Sequence, residues 1–227
     1  MPAPVPLSAV CQRSVSRSRF GLAVAVAAAL VVTLPPASAV AQDRMPPLSP
    51  SQLTDHQRGA AEAFKAARGL EVFGPFVPLL RSPEVMTRFR ALGDYLRYRS
   101  AVPPRLSELL ILLTARHWTQ QYEWDTHADI GLKAGLRDEV VNAIADGRRP
   151  MSMADDEAAI YDLAIELQRN QSVSDTTYER ALKLFGEQGI IDSVGIIGYY
   201  TGLAMFMNTT QTPLPPGRPH GLRSFPR

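Results

Sequence analysis

The sequence predicts an all-α domain, and three observations carry that prediction. Apolar residues recur at helical spacing through the body, no stretch alternates cleanly with period two, and caps, prolines and glycines fall where helices start and stop. Of 227 residues, 45% are hydrophobic and 20% charged, a balance that suits a folded globular chain.

The elements follow in order. Gln52–Arg68 is alanine-rich, with a cap at Ser51 or Thr54 and Gly69 after it. Ser82-Pro83-Glu84 is a cap, a proline at the first helical position and an early acid, and it opens a helix to about Tyr98. Pro103-Pro104 starts Arg105–Trp118, with Leu106, Leu109, Leu110 and Leu113 on one stripe. A further helix runs from about Thr119 to Ala134 and stops at Gly135. Arg137–Ala145 is short and ends at Gly147. Ala154–Gln168 begins with Asp155, Asp156 and Glu157, which suit the positive end of the helix dipole. Ser174-Asp175 opens a helix to about Phe185. Ile190–Asn208 is apolar, and its length argues for a buried helix in which Gly195, Gly198 and Gly202 allow close packing.

The ends read differently. Phe20–Leu34 is an uncharged run of 15 residues preceded by Arg13, Arg17 and Arg19 and followed by small-x-small sites. These are the parts of a secretory signal, expected to be cleaved after Ala41, and the run is short for a membrane span. The expected organisation is a signal peptide at 1–41, a linker at 42–50, a helical domain at 51–212 and a Pro-rich tail at 213–227. The mature protein is then periplasmic or secreted, with no stable membrane span. The signal holds three basic and no acidic side chains, so the body keeps 21 basic and 22 acidic ones. That near-neutral balance gives no footprint for nucleic acid. Cys11, the only cysteine, lies in the signal, which excludes a disulfide framework, a CxxC pair and a Cys-based zinc site in the mature chain.

Functional composition is densest from Glu108 to His127. Gln120, Glu123 and His127 fall on one face of the expected helix, and Glu123 and His127 are i,i+4 neighbours. A carboxylate beside an imidazole raises its pKa and orients the ring, the arrangement of a proton shuttle. Glu108 joins them from the preceding helix, either orienting His127 or serving as a buried structural acid. Arg105 or Arg116 is expected to clamp a substrate carboxylate. Trp118 and Trp124 read as core, and His117 as a surface or interface residue. No metal site is expected, because HExxH is absent and Glu108, His117, Glu123 and His127 lack the spacing of a metal motif.

The stretch PPRLSELLILLTARHWTQQYEWDTHADIGLKAGLRDEVVNAIADGRRP resembles the carboxymuconolactone decarboxylase family, which includes the alkyl hydroperoxidase D-like proteins. The acids Asp155–Glu157, the Val173-Ser174-Asp175 helix start, Phe185-Gly186 and the closing GYYTGLAMFMN extend the resemblance over about Leu53 to Asn208. It implies a compact multi-helix, all-α domain of the alkyl hydroperoxidase D-like kind, assembled as a homo-oligomer, a trimer or hexamer. The hydroperoxidase branch has a CxxC on the helix that carries the histidine. Here those positions are Gln120 and Glu123, neither of which can perform thiol chemistry. The decarboxylase branch has Glu four residues before His, which Glu123 and His127 match. The resemblance therefore implies a lyase or isomerase acting without cofactor on a small carboxylated molecule. Its catalytic residues are His127, Glu123 and Glu108, and its substrate-binding residues Arg105, Arg116 and Gln120. The alternatives are a non-catalytic oligomeric binding protein, or a peroxide-related or metal-dependent oxidoreductase that uses no thiol.

Overall fold

Each helix begins and ends where local chemistry permits. The structure is a computed structural model describing residues 42–215, 217 and 221–223. The expected signal and its cleavage site, along with parts of the tail, lie outside the described residues. Among those residues there are eight α-helices and no strand: α1 (Asp55–Arg68), α2 (Phe76–Leu79), α3 (Pro83–Tyr98), α4 (Pro104–Trp118), α5 (Gln121–Lys133), α6 (Asp138–Ala145), α7 (Asp155–Asn170) and α8 (Asp175–Thr210).

Of the two caps open to α1, Thr54 serves. Its hydroxyl accepts from the Gln57 N–H at 3.3 Å, and the Gln57 side chain accepts from the Thr54 N–H at 3.0 Å. Gly69, at φ 71°, closes the helix by donating to the Lys65 carbonyl. The single turn α2 was not anticipated, because four residues that include Pro78 give no periodicity to read. The two helices expected at 175–185 and from 190 onward form one rod broken at Gly186, where φ 67° and ψ 177° admit only glycine comfortably.

The core is built around α4. Leu106, Leu109, Leu110, Ile111 and Leu112 are fully buried, so the helix is covered on every side rather than along one stripe. Helices α5, α6, α7 and α8 all pack on it. Burial of each such side chain contributes about 1.5–3 kcal/mol, which makes α4 the element the others organise around. Of the three glycines expected to allow close packing, two do so: a Cβ on Gly195 would come 3.1 Å from Leu96, and one on Gly202 would come 2.9 Å from Phe89, both on α3. Gly198 meets nothing within 4 Å.

The approach to α1 and the tail are tied to the body. The Arg44 N–H donates to the Thr210 carbonyl at 2.8 Å, and Arg81 donates to the Pro46 carbonyl at 2.6 Å. Gln121 clasps the tail, accepting from the Leu222 N–H at 3.1 Å and donating to its carbonyl at 2.6 Å.

Candidate active site

The centre of the site forms where α5 crosses α4. Helix α4 ends at Thr119, in the left-handed region at φ 48°, and α5 begins two residues later. Glu123 then sits in the first turn of α5, where a carboxylate is favoured by the helix dipole. His127 lies one turn on, and Glu108 projects from the neighbouring α4. All three are buried, at 4%, 2% and 6% exposure.

Both nitrogens of His127 face a carboxylate. Nδ1 lies 2.6 Å from Glu108 Oε2, a strong hydrogen bond, and Nε2 lies 3.4 Å from Glu123 Oε2, a longer ion-pair contact. The Tyr200 ring meets the imidazole edge-on, with centroids 5.1 Å apart. Burial alone would drive the imidazole toward its neutral form. The bonds and charges of Glu108 and Glu123 outweigh it and raise the His127 pKa above 6.5. The group therefore stabilises the fold fully below its unfolded value near 6.5, and that contribution is lost as pH rises through the raised folded value. The stability gap between wild type and His127→Gln, measured by urea unfolding from low to high pH, is expected to narrow with rising pH. A constant gap would refute the charged assignment.

One oxygen stands out. Glu123 Oε1 is buried and has no hydrogen-bond partner, an arrangement that costs free energy unless something else uses it. The residue lines a pocket of about 40 Å³ with His127, Tyr122, Tyr199, Tyr200 and Arg97 among its walls. Such a space holds about three waters. A wider bowl of about 550 Å³ lies beside it, and Arg68, Phe73 and Arg97 line both. These three side chains form the partition between them. Arg68 is bound to Asp94 at 2.8 Å. Arg97 rests against the Tyr98 ring at 5.5 Å, and among the described residues it forms no ion pair. Burial opposes its charge, but Tyr200, Tyr98, Glu108 and Glu123 raise its pKa. Burial likewise pushes the Tyr199 and Tyr200 phenols up, so both remain hydrogen-bond donors.

The structure thus brings Glu108, Glu123 and His127 together and places the other three named residues elsewhere. Arg105 pairs with Asp156 at 2.7 Å and with Glu157, joining α4 to the start of α7. Arg116 donates to the Arg223 carbonyl at 2.7 Å and lines a different cavity. Gln120 lies outside the helix that was expected to carry it. Its oxygen caps α5 by accepting from the Tyr122 N–H at 2.6 Å, and its amide donates to Asn208 at 2.8 Å. The arginine at the pocket is Arg97, which sequence reasoning missed. It comes from α3, and nothing in its local spacing marks it among the arginines of that helix. Tyr199 and Tyr200 were in view only as part of an apolar helix.

Residues 83–166, which span α3 to most of α7, match the model of the Carboxymuconolactone decarboxylase family. No curated protein matches the chain. Among solved structures, the chain is similar to the alkylhydroperoxidase AhpD core of an uncharacterized peroxidase-related protein from Ralstonia eutropha JMP134. The two are 17% identical, with a TM-score of 0.63 over 76% of this chain and 92% of that one. A peroxidase-related protein from Silicibacter sp. TM1040 is 16% identical, with a TM-score of 0.60 over 84% of this chain and 98% of that one. The debrominase Bmp8 in complex with 2,3,4-tribromopyrrole is 13% identical, with a TM-score of 0.59 over 76% and 91%. Residues 83–166, which include the helices that carry Glu108, Glu123 and His127, are thus similar to the Carboxymuconolactone decarboxylase family, the fold is shared with these alkylhydroperoxidase-like structures, and the sequence has no Cys-x-x-Cys pair.

Proposed function

We propose that the protein is a lyase or isomerase that moves a proton on a small carboxylated molecule, with Glu123 as the group that meets the substrate. The orphaned Oε1 of Glu123, in a pocket that Arg97 helps to close, carries this reading. His127 has both nitrogens engaged, so it serves as the proton store behind Glu123, and Glu108 holds its ring. The sequence alone had given His127 the shuttling role and Glu123 the tuning role; the engaged nitrogens favour the reverse. Arg97 takes the clamping role first given to Arg105 or Arg116.

In an isomerisation, Glu123 takes a proton from a carbon next to a conjugated carbonyl and returns it at the far end of the conjugated system. In a decarboxylation, the bond to the carboxyl carbon breaks and its electrons enter the conjugated carbonyl. His127 passes its proton to Glu123, which delivers it to the carbon, and a proton from water restores His127. Tyr199 and Tyr200, held as phenols, supply donors for the developing oxyanion. A ligand larger than the present pocket requires that Arg97 and Phe73, which line both spaces, move toward the bowl. The non-catalytic binding alternative predicts either a pair facing solvent or a pocket too closed to hold an anion. The buried placement of Glu123 and His127 against a cavity speaks against the first, and the small pocket of about 40 Å³ leaves the second to the exchange test.

The test is proton exchange in heavy water, followed by NMR, on a panel of small unsaturated carboxylated lactones. Wild type should incorporate deuterium at the carbon next to the carbonyl. Arg97→Gln should raise KM by about tenfold or more with kcat largely kept, the pattern of a lost ground-state anion contact. No exchange by wild type on any panel member, or an unchanged KM in Arg97→Gln, would overturn the assignment.

A further inference from the structure

A second cavity, of about 240 Å³, lies between α4, α6 and α7 and shares no lining residue with the pocket around His127. Its residues come from three helices. Leu113, Arg116 and His117 are in the last turns of α4, Ile144 is in the last turn of α6 with Gly147 and Arg148 beyond it, and Tyr161, Ile165, Gln168 and Arg169 recur on one face of α7. Helix C-termini favour cations, which accounts for the presence of some. The wall nevertheless carries three arginines (Arg116, Arg148, Arg169) beside His117, and no carboxylate. Asp146, the acid paired with Arg148 at 2.9 Å, is not among the lining residues. The His117 pKa is lowered first by burial and then by the charge of Arg169, while the charge of Asp146 acts on Arg116 from outside the lining.

The rest of the lining is built for an organic body. Leu113, Ile144 and Tyr161 are buried, and Ile165 stands beside them. Gln168 donates to Thr114 Oγ1 at 3.1 Å and leaves its own Oε1 buried with no partner. A buried acceptor with no partner in the protein, on a residue that lines a cationic cavity, is matched by a donor on a ligand bound there. We propose that this cavity binds a small aromatic carboxylate bearing a hydroxyl group. Arg169, Arg148 and Arg116 receive the carboxylate, the apolar wall covers the ring, and the hydroxyl donates to Gln168 Oε1. The volume lies just below the range of about 300–1,000 Å³ typical of drug-sized ligands, as suits a single ring.

The experiment is calorimetric titration of the full chain with 3-hydroxybenzoate, benzoate, benzyl alcohol and inorganic phosphate, with the His117 ring signal followed by NMR. The expected order is 3-hydroxybenzoate first, benzoate about tenfold weaker for the lost hydrogen bond, and no binding of benzyl alcohol. Bound carboxylate should raise the His117 pKa. Arg169→Gln, at an exposed position, should weaken 3-hydroxybenzoate by about tenfold or more, whereas Arg97→Gln should leave it unchanged. Gln168→Met should remove the advantage of the hydroxylated acid. The proposal fails if no aromatic acid binds, if Arg97→Gln abolishes binding while Arg169→Gln does not, or if inorganic phosphate binds as tightly as the aromatic acids.

Discussion

Glu123→Gln is expected to lower turnover by about 10²–10⁴-fold, the range for loss of a positioned proton-transfer group, while the fold survives. Gln keeps the shape and the pocket contacts of Glu and removes only the capacity to take a proton. The buried Oε1, which has no partner, becomes part of a neutral amide at that site. Two readouts separate this role from a structural one. Circular dichroism and thermal unfolding should show the variant folded, and the pH profile of the remaining activity should change, because His127 loses the carboxylate of Glu123 that helps to raise its pKa. His127→Gln should fall nearly as far, because the two act as a unit and their effects should not add. Full activity in Glu123→Gln would leave His127 as the acting group, and the role reversal proposed above would fall.

Arg105→Met is expected to destabilise the protein by about 3 kcal/mol, roughly 6–12 °C in Tm for a chain of this size. Methionine keeps the apolar stem and removes the charge. Glu157, only 3% exposed, would then be left with its bond to the Ala154 N–H at 2.9 Å and with Arg137 4.0 Å away. A buried carboxylate stripped of its main partner is the costly half of a broken ion pair. The low end of the usual range is chosen because the Arg105 side chain is 27% exposed. Kinetic constants should stay within about twofold of wild type, since Arg105 lines neither the small pocket nor the bowl. A rise in KM with no loss of Tm would restore the substrate-clamping role that the sequence had suggested.

These two variants mark how far the residues could be read in one dimension. Cap residues, helix-start prolines and closing glycines act within four or five residues, so α1 and α3 to α7 were visible at nearly their observed bounds. The break at Gly186 falls where the helix opened by Ser174-Asp175 was expected to end, at about Phe185. Helix α2 escaped because one turn with an internal proline has no period. The Glu123–His127 pair is an i,i+4 relation, which a helix sets without help from the rest of the chain.

Tertiary packing decided what sequence spacing could not. Glu108 was named with its role left open, and only the crossing of α4 and α5 puts its oxygen 2.6 Å from Nδ1 of His127. That same crossing leaves Nε2 of His127 facing Glu123 Oε2 at 3.4 Å, so both ring nitrogens meet a carboxylate. Arg105, Arg116 and Arg97 are alike as residues, and each takes its role from what lies across from it: Glu157 on α7, the Arg223 carbonyl, or an acidic pocket. An arginine side chain is long, and its charge acts on whatever non-local partner the packing brings within reach. The all-α class, the helix order and the missing thiols were therefore already present in the amino-acid order, because each is a local or compositional property. Which cation faces which anion was settled only when the helices closed around α4.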